Sequence, residues 1–205
     1  MGKVFDLTDE EVWLGISSSS PRVCVALIDP LNPSFFWEKS ALANHNASSA
    51  ISILVGEARE VCHLADKRIG AVLVDIGPGS HTGTRVGVSF AKAYALGSNL
   101  GMVAVEAFDL ISTEEVVSIS SRKGEFVVRE VGQSPRVCTE LPTGSVGWSK
   151  DEIEPKYPSF RGYSEWFTNV KNGSAVEIVP AYYGEPLVST PKVQFAMKNS
   201  EKVMR

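Results

Sequence analysis

The sequence predicts an α/β fold: a mixed five-stranded sheet with flanking helices in the amino-terminal half, then a reduced second α/β lobe. Three observations predict it. A β-branched apolar run, Ala71-Val72-Leu73-Val74-Asp75-Ile76, leads into a glycine-rich turn, a segment of helical period and a second apolar run from Met102 to Val105. Strand, loop, helix and strand in that order make a right-handed βαβ unit with a parallel strand pair. Ahead of it, two apolar runs flank a serine turn and read as a hairpin. Beyond residue 132 the periodicity fades, and none of the long helices of a full second lobe can be found. A chain of 205 residues suits one domain or two small lobes, and 43% apolar residues can build a core. The expected division is an amino-terminal lobe at 1–106, a reduced lobe at 107–189 and a polar tail at 190–205.

Taken in order, residues 12–17 and 23–28 read as hairpin strands, with Ser17-Ser18-Ser19-Ser20-Pro21 as their turn. Residues 29–38 complete a meander, with Pro30 and Pro33 at the bend and Phe35-Phe36-Trp37 as a third strand. Asn44, His45 and Asn46 offer caps for a helix over 47–65. Its Ile51, Leu54, Val55, Ala58, Val61, Cys62 and Ala65 share one face, with Glu57, Arg59 and Glu60 on the other. Residues 71–76 form the next strand. Thr82 can cap a helix over 84–97, and Gly97 can end it. A strand follows at 102–105, and a short helical turn at 107–111 links the lobes. Residues 116–120 and 125–131 read as a second hairpin around Ser121-Arg122-Lys123-Gly124. Residues 136–141 are expected as a strand, 142–158 as loop, 163–170 as a short helix and 175–179 as a strand. Three strands, helix, strand, helix, strand is a ribonuclease-H-like order.

The chemistry-bearing stretch is Gly77-Pro78-Gly79-Ser80-His81-Thr82-Gly83-Thr84-Arg85. Bare amides of a glycine loop at a helix start can bind an anion. Gly77, Gly79, Ser80, Thr82, Gly83 and Arg85 are therefore the candidate phosphate or cofactor residues, with Lys92 on the same helix. The spacing is not a Walker A loop, since no Gly-Lys-Ser/Thr closes it, and no Gly-x-Gly-x-x-Gly occurs. The alternative is that the glycines serve only the turn and tight packing. Gly83, Gly87, Ala91 and Ala95 recur every four residues, a stripe without bulk that another backbone can approach closely. The sheet of this chain and the helix of a partner are both candidates for that space.

A net charge of −4 argues against a free-standing nucleic-acid binder. No apolar run reaches the length of a membrane span, and Asp6, Asp9, Glu10 and Glu11 make the first residues unlike a signal peptide. Cys24, Cys62 and Cys138 form neither a disulfide framework nor a zinc pattern, which suits reduced thiols in a cytoplasmic protein. His45, His63 and His81 make no ligand pair, so no metal is expected.

The string from Gly77 to Gly87, with Ala91-Lys92 behind it, resembles the signature of the TsaB family, also called YeaZ: Gly-Pro-Gly-Ser-Phe-Thr-Gly-Leu-Arg-Ile-Gly, then Ala-Lys. His81, Thr84 and Val86 are the departures. The resemblance covers residues 12–131 and, more weakly, Pro180-Ala181-Tyr182-Tyr183, where Gly184 replaces an Arg. It implies an actin-like ATPase fold used without independent catalysis. It also implies partnership with a TsaD-type catalytic subunit and a TsaE-type ATPase in making threonylcarbamoyladenosine in tRNA. Ser17 and Ser120 stand where actin-like sites carry carboxylates, and a hydroxyl cannot replace a carboxylate holding a divalent cation through water. The resemblance places subunit contacts on the two long helices. Ile51, Leu54, Val55, Ala58, Gly83, Gly87, Ala91 and Ala95 are therefore the expected partner interface, in a homodimer when the chain is alone. Expected are no tightly bound cofactor, ATP only at an interface shared within the complex, tRNA contact only indirectly, and no membrane. The alternatives are an independent actin-fold ATP-binding enzyme and a metallopeptidase of the glycoprotease label.

Overall fold

The computed structural model describes residues 8–43, 46–121, 124–149, 154–166, 171–173 and 177–183. Asn44, His45, Arg122, Lys123, Gly184 and the tail from 190 lie outside them. Strands β1 (Glu11–Ser17), β2 (Arg22–Ile28) and β3 (Phe36–Leu42) form an antiparallel meander. β4 (Arg68–Asp75) runs parallel to β1, and β5 (Gly101–Val105) parallel to β4. These are the five expected strands. A sixth, β10 (Lys171–Gly173), comes from the second half of the chain and pairs antiparallel with β5, giving the order β10-β5-β4-β1-β2-β3.

The central strands are apolar along their length because both faces are covered. Val12, Leu14 and Ile16 of β1, Val23, Val25 and Leu27 of β2, and Val72 and Val74 of β4 share one core. The helices α1 (Ala47–Leu64) and α2 (His81–Ser98) cover that face. The alternate residues Trp13, Cys24, Ala26, Ile28, Ala71, Leu73, Val103 and Val105 make the core of the opposite face. Leu110 of the short helix α3 (Ala107–Ile111) and Phe160 close that side. A Cβ added at Gly15 would lie 3.0 Å from the Phe160 ring, so the absent side chain in β1 gives the ring its seat.

A second sheet has the order β8-β7-β6-β9. β6 (Val117–Ser120) and β7 (Phe126–Arg129) form the expected hairpin, and β8 (Arg136–Cys138) adds to it. The strand expected over 136–141 ends at Cys138. β9 (Val146–Trp148), parallel to β6, lies in the stretch expected as loop. The expected strand at 175–179 is not found in its described residues, 177–179; β10 precedes it. The helix expected at 163–170 is described as α4 (Tyr163–Trp166). α2 begins three residues before the expected start: Ser80, not Thr82, caps it by accepting from the Gly83 amide, and the helix runs past Gly97 to end where Asn99 is left-handed, φ 55°. Asn46 caps α1 through the Ser49 amide.

Candidate functional site

The glycine loop leaves the carboxyl end of β4 and enters α2, beside the turn that joins β1 to β2. Parallel pairing sets Ile16 opposite Val74, so the next residues, Ser17 and Asp75, meet across the pair. Asp75 is 1% exposed. Its Oδ2 accepts from the Ser17 hydroxyl at 2.6 Å and the Ser19 hydroxyl at 2.5 Å, and its Oδ1 from the Gly77 amide at 2.7 Å. Burial pushes the Asp75 carboxyl above its ordinary value, and the hydroxyl and amide donors pull partly against that. Ser17 to Ser20 are all buried. The serine run is a turn, as its composition suggests, yet the hydroxyls of Ser17 and Ser19 point inward and hold a buried acid.

The same turn lies directly on the loop and on α2. The Ser80 amide donates to the Ser19 carbonyl at 2.5 Å, and the Ser18 hydroxyl donates to the Gly83 carbonyl at 2.8 Å. A Cβ at Gly79 would sit 2.1 Å from the Ser19 carbonyl oxygen, and one at Gly83 would sit 2.1 Å from that of Ser18. At Gly87 it would sit 2.3 Å from the Ser18 hydroxyl. Gly79 and Gly83 are therefore required by backbone against backbone, and Gly87 by the Ser18 side chain.

Four of the amides in and after the loop are already engaged. Gly77 donates to Asp75, Ser80 to Ser19, Gly83 to the Ser80 hydroxyl, and Thr84 to the Ser80 carbonyl. The Gly77 and Ile76 carbonyls accept from Ala107 and Ala181, both at 2.7 Å. Of the six cofactor candidates, Gly77 and Gly83 are buried, Gly79 is half-buried, and Ser80, Thr82 and Arg85 are exposed. Thr82 and Arg85 border an open groove of about 550 Å³ with His81, Ser48, Val86 and Phe90. It lies outside α2, away from the packed contact between loop and turn.

The eight residues expected at a partner interface are all buried within this chain. Ile51, Leu54, Val55 and Ala58 of α1, with Ala91 and Ala95 of α2, are all buried in the core that the helices share with the sheet. Gly83 and Gly87 are buried against Ser18. The small-residue stripe serves this chain's own turn and sheet. The apolar residues left on the outer side of the helices are Ile53, 63% exposed, Leu64 and Leu96.

Ser120 ends β6 opposite Phe126 and is half-buried. A charged pair that the sequence reading passed over lies nearby in the second half. Asp109 accepts from Arg129 at 2.7 Å, and Arg129 also donates to the Ser112 carbonyl and stacks over Phe108. Glu38 was likewise unmarked. It accepts from the Ser159 hydroxyl and from the Phe160 amide at 2.6 Å, which fixes Phe160 over Gly15. Burial first, and the Glu38 carboxylate next, hold the neighbouring Cys24 thiol well above its ordinary value, and burial pushes Cys62 up to about 11. Burial thus disfavours the thiolate form of both. Among the described residues no three His, Cys, Asp or Glu side chains gather as metal ligands, and no helix is long and apolar enough to cross a membrane.

The sheet order, the meander feeding a parallel βαβ unit and the small second sheet define an actin-like α/β protein. Solved structures share this fold, two of them at a TM-score near 0.6. YeaZ from Pseudomonas aeruginosa superposes with a TM-score of 0.61 at 16% identity, over 84% of this chain and 99% of its own. A crystal structure described as an uncharacterized protein with similarity to peptidase YeaZ from Pseudomonas aeruginosa gives 0.59 at 17% identity, over 85% of this chain and 100% of its own. The fold is that of YeaZ, or TsaB, as the loop string implies. Residues 40–130 match the family described as TsaD, tRNA N6-adenosine threonylcarbamoyltransferase. No curated protein matches the chain.

Proposed function

We propose that this chain is a cytoplasmic, non-catalytic subunit in the synthesis of threonylcarbamoyladenosine in tRNA, binding and activating a TsaD-type catalytic partner. The family match over 40–130 and the YeaZ fold support the pathway. The observation that carries the non-catalytic part is the packing of the serine turn on the glycine loop. In a nucleotide-hydrolysing relative that gap would hold phosphate and metal. Here Ser18 and Ser19 carbonyls lie where even a methyl group at Gly83 or Gly79 would not fit. The Asp75 carboxylate beside the loop has its oxygens taken by Ser17, Ser19 and Gly77.

In this reading a TsaE-type ATPase joins the assembly, ATP sits only where subunits meet, and tRNA is contacted through the partner. The chain pairs with itself when alone. Size-exclusion chromatography of the chain mixed with a TsaD-type subunit tests it. A complex at micromolar concentration is expected, and two separate peaks would count against the proposal. Turnover of magnesium-ATP by the isolated chain would favour an independent actin-fold enzyme instead.

A further inference from the structure

We infer that a hollow at the carboxyl ends of α1 and α2 binds a small phosphate-bearing anion, at the opposite end of β4 from the glycine loop. The hollow holds about 300 Å³, and its polar lining is Arg59, His63, Lys67, Arg68, Tyr94 and Ser98. That volume is at the low end for ligand pockets, so the ligand is small. Every one of those side chains can donate a hydrogen bond, and three carry a permanent positive charge. Among the described residues no carboxylate lines the space. Glu60 borders the neighbouring hollow on α1 and not this one. The hollow involves neither the glycine loop nor a partner subunit.

Donors remain to be used there. Lys67 is committed to Asp29 at 2.7 Å and to the Asp9 carbonyl. Arg68 gives only its Nε to Glu11, at 3.0 Å, which leaves both terminal guanidinium nitrogens. No carboxylate pairs with Arg59 among the described residues. Burial raises the Tyr94 phenol above its ordinary value, with the Arg59 charge pulling against that, so the hydroxyl stays a donor. A helix carboxyl end ordinarily repels an anion. Here those carbonyls are spent: Val61, Cys62 and His63 accept from the Ala65, Lys67 and Asp66 amides, and Ala95 and Leu96 from the Leu100 and Asn99 amides. Two guanidinium groups bordering one space suit the oxygens of a phosphate, which each can bind in pairs, better than a spherical halide.

Inorganic phosphate, titrated into the full-length chain against sodium chloride of equal ionic strength, tests it by NMR. Amide shifts of residues 59–69 and 94–100 should move saturably with phosphate and not with chloride. Arg59 is exposed, so Arg59→Ala folds as wild type does, and it should weaken phosphate binding by about tenfold or more. Tyr94→Phe removes one neutral donor and should weaken it by about threefold. Arg161→Ala removes the same charge beside Phe36, on the opposite face of the sheet, and should bind phosphate as wild type does. Shifts that never saturate, equal shifts with chloride, or unchanged affinity in Arg59→Ala overturn the site. An equal loss in Arg161→Ala does so too, since it reduces the hollow to diffuse positive charge. Binding of tRNA that Arg59→Ala abolishes, with no saturable binding of inorganic phosphate, overturns the small ligand in favour of an RNA backbone.

Discussion

At the scale of single residues, two glycines separate packing from mere helix composition. Gly83 faces a backbone oxygen 2.1 Å from where a methyl group would stand, and a carbonyl cannot rotate aside as a long side chain can. Gly83→Ala must therefore part α2 from the serine turn, with an expected loss of about 1–3 kcal/mol in urea unfolding. Gly56, on the exposed side of α1, has nothing within 4 Å of its added Cβ. Gly56→Ala should gain about 0.5–1 kcal/mol from helix propensity. Equal effects at the two sites would show that the stripe is not close-packed. Asp75 gives a third residue-scale expectation, with a definite sign. Burial raises its folded pKa, so the native state holds the proton more tightly than the unfolded chain does. The stabilisation is full below the unfolded value of about 3.9 and is lost as pH rises through the folded value. Asp75→Asn does not titrate. The stability of wild type relative to this variant should fall as pH rises above about 4, and a constant difference across the acid-to-neutral range would refute the assignment.

Elements show which parts of the fold are legible and why. β1, β2, β4 and β5 are legible because burial on both faces writes an unbroken apolar run. α1 is legible because its buried Ile51, Leu54, Val55, Ala58 and Cys62 recur at helical spacing. β9 is not, because three residues cannot display a period, and Gly147 within it meets the Ser118 carbonyl where a Cβ would stand at 1.9 Å. The Asp75 cluster is half-legible: an acid ending an apolar strand before a glycine loop is a visible anomaly, but its hydroxyl partners lie 56 and 58 residues away. The segment over the back of the sheet was hidden for a similar reason, since Glu38 and Phe160 belong to opposite ends of the chain. Phe160 fills the hollow at Gly15 and is fully buried. Phe160→Ala should cost about 3–5 kcal/mol, measured by urea unfolding, through lost burial plus the cavity it leaves. A loss below about 1 kcal/mol would mean that the segment does not hold this face together.

For the whole molecule, the question is which surface remains for a partner once the close-packed stripe is spent internally. α1 and α2 pack against each other and against the sheet, so their buried residues are already engaged. A helix-to-helix docking mode must then use outward residues, of which Ile53, Leu64 and Leu96 are the large exposed aliphatic ones, 63%, 84% and 66% exposed. An exposed aliphatic side chain adds little to the stability of the free chain, so a charge there is tolerated when the protein is alone, with an unfolding change within about 0.5 kcal/mol. Within an interface the same charge is buried without a counterpart, which costs several kcal/mol. Ile53→Asp should therefore leave the unfolding midpoint nearly unchanged while weakening the proposed complex with a TsaD-type subunit by about a hundredfold or more, as those energies require. Gly87→Leu should behave in the opposite way, losing stability first, because its side chain would enter the space of the Ser18 hydroxyl 2.3 Å from the added Cβ. If Ile53→Asp binds the partner as wild type does, the outer face of these helices is not the docking surface. If Gly87→Leu folds normally and loses only the partner, the stripe is the interface after all, and the turn that covers it must move aside on binding.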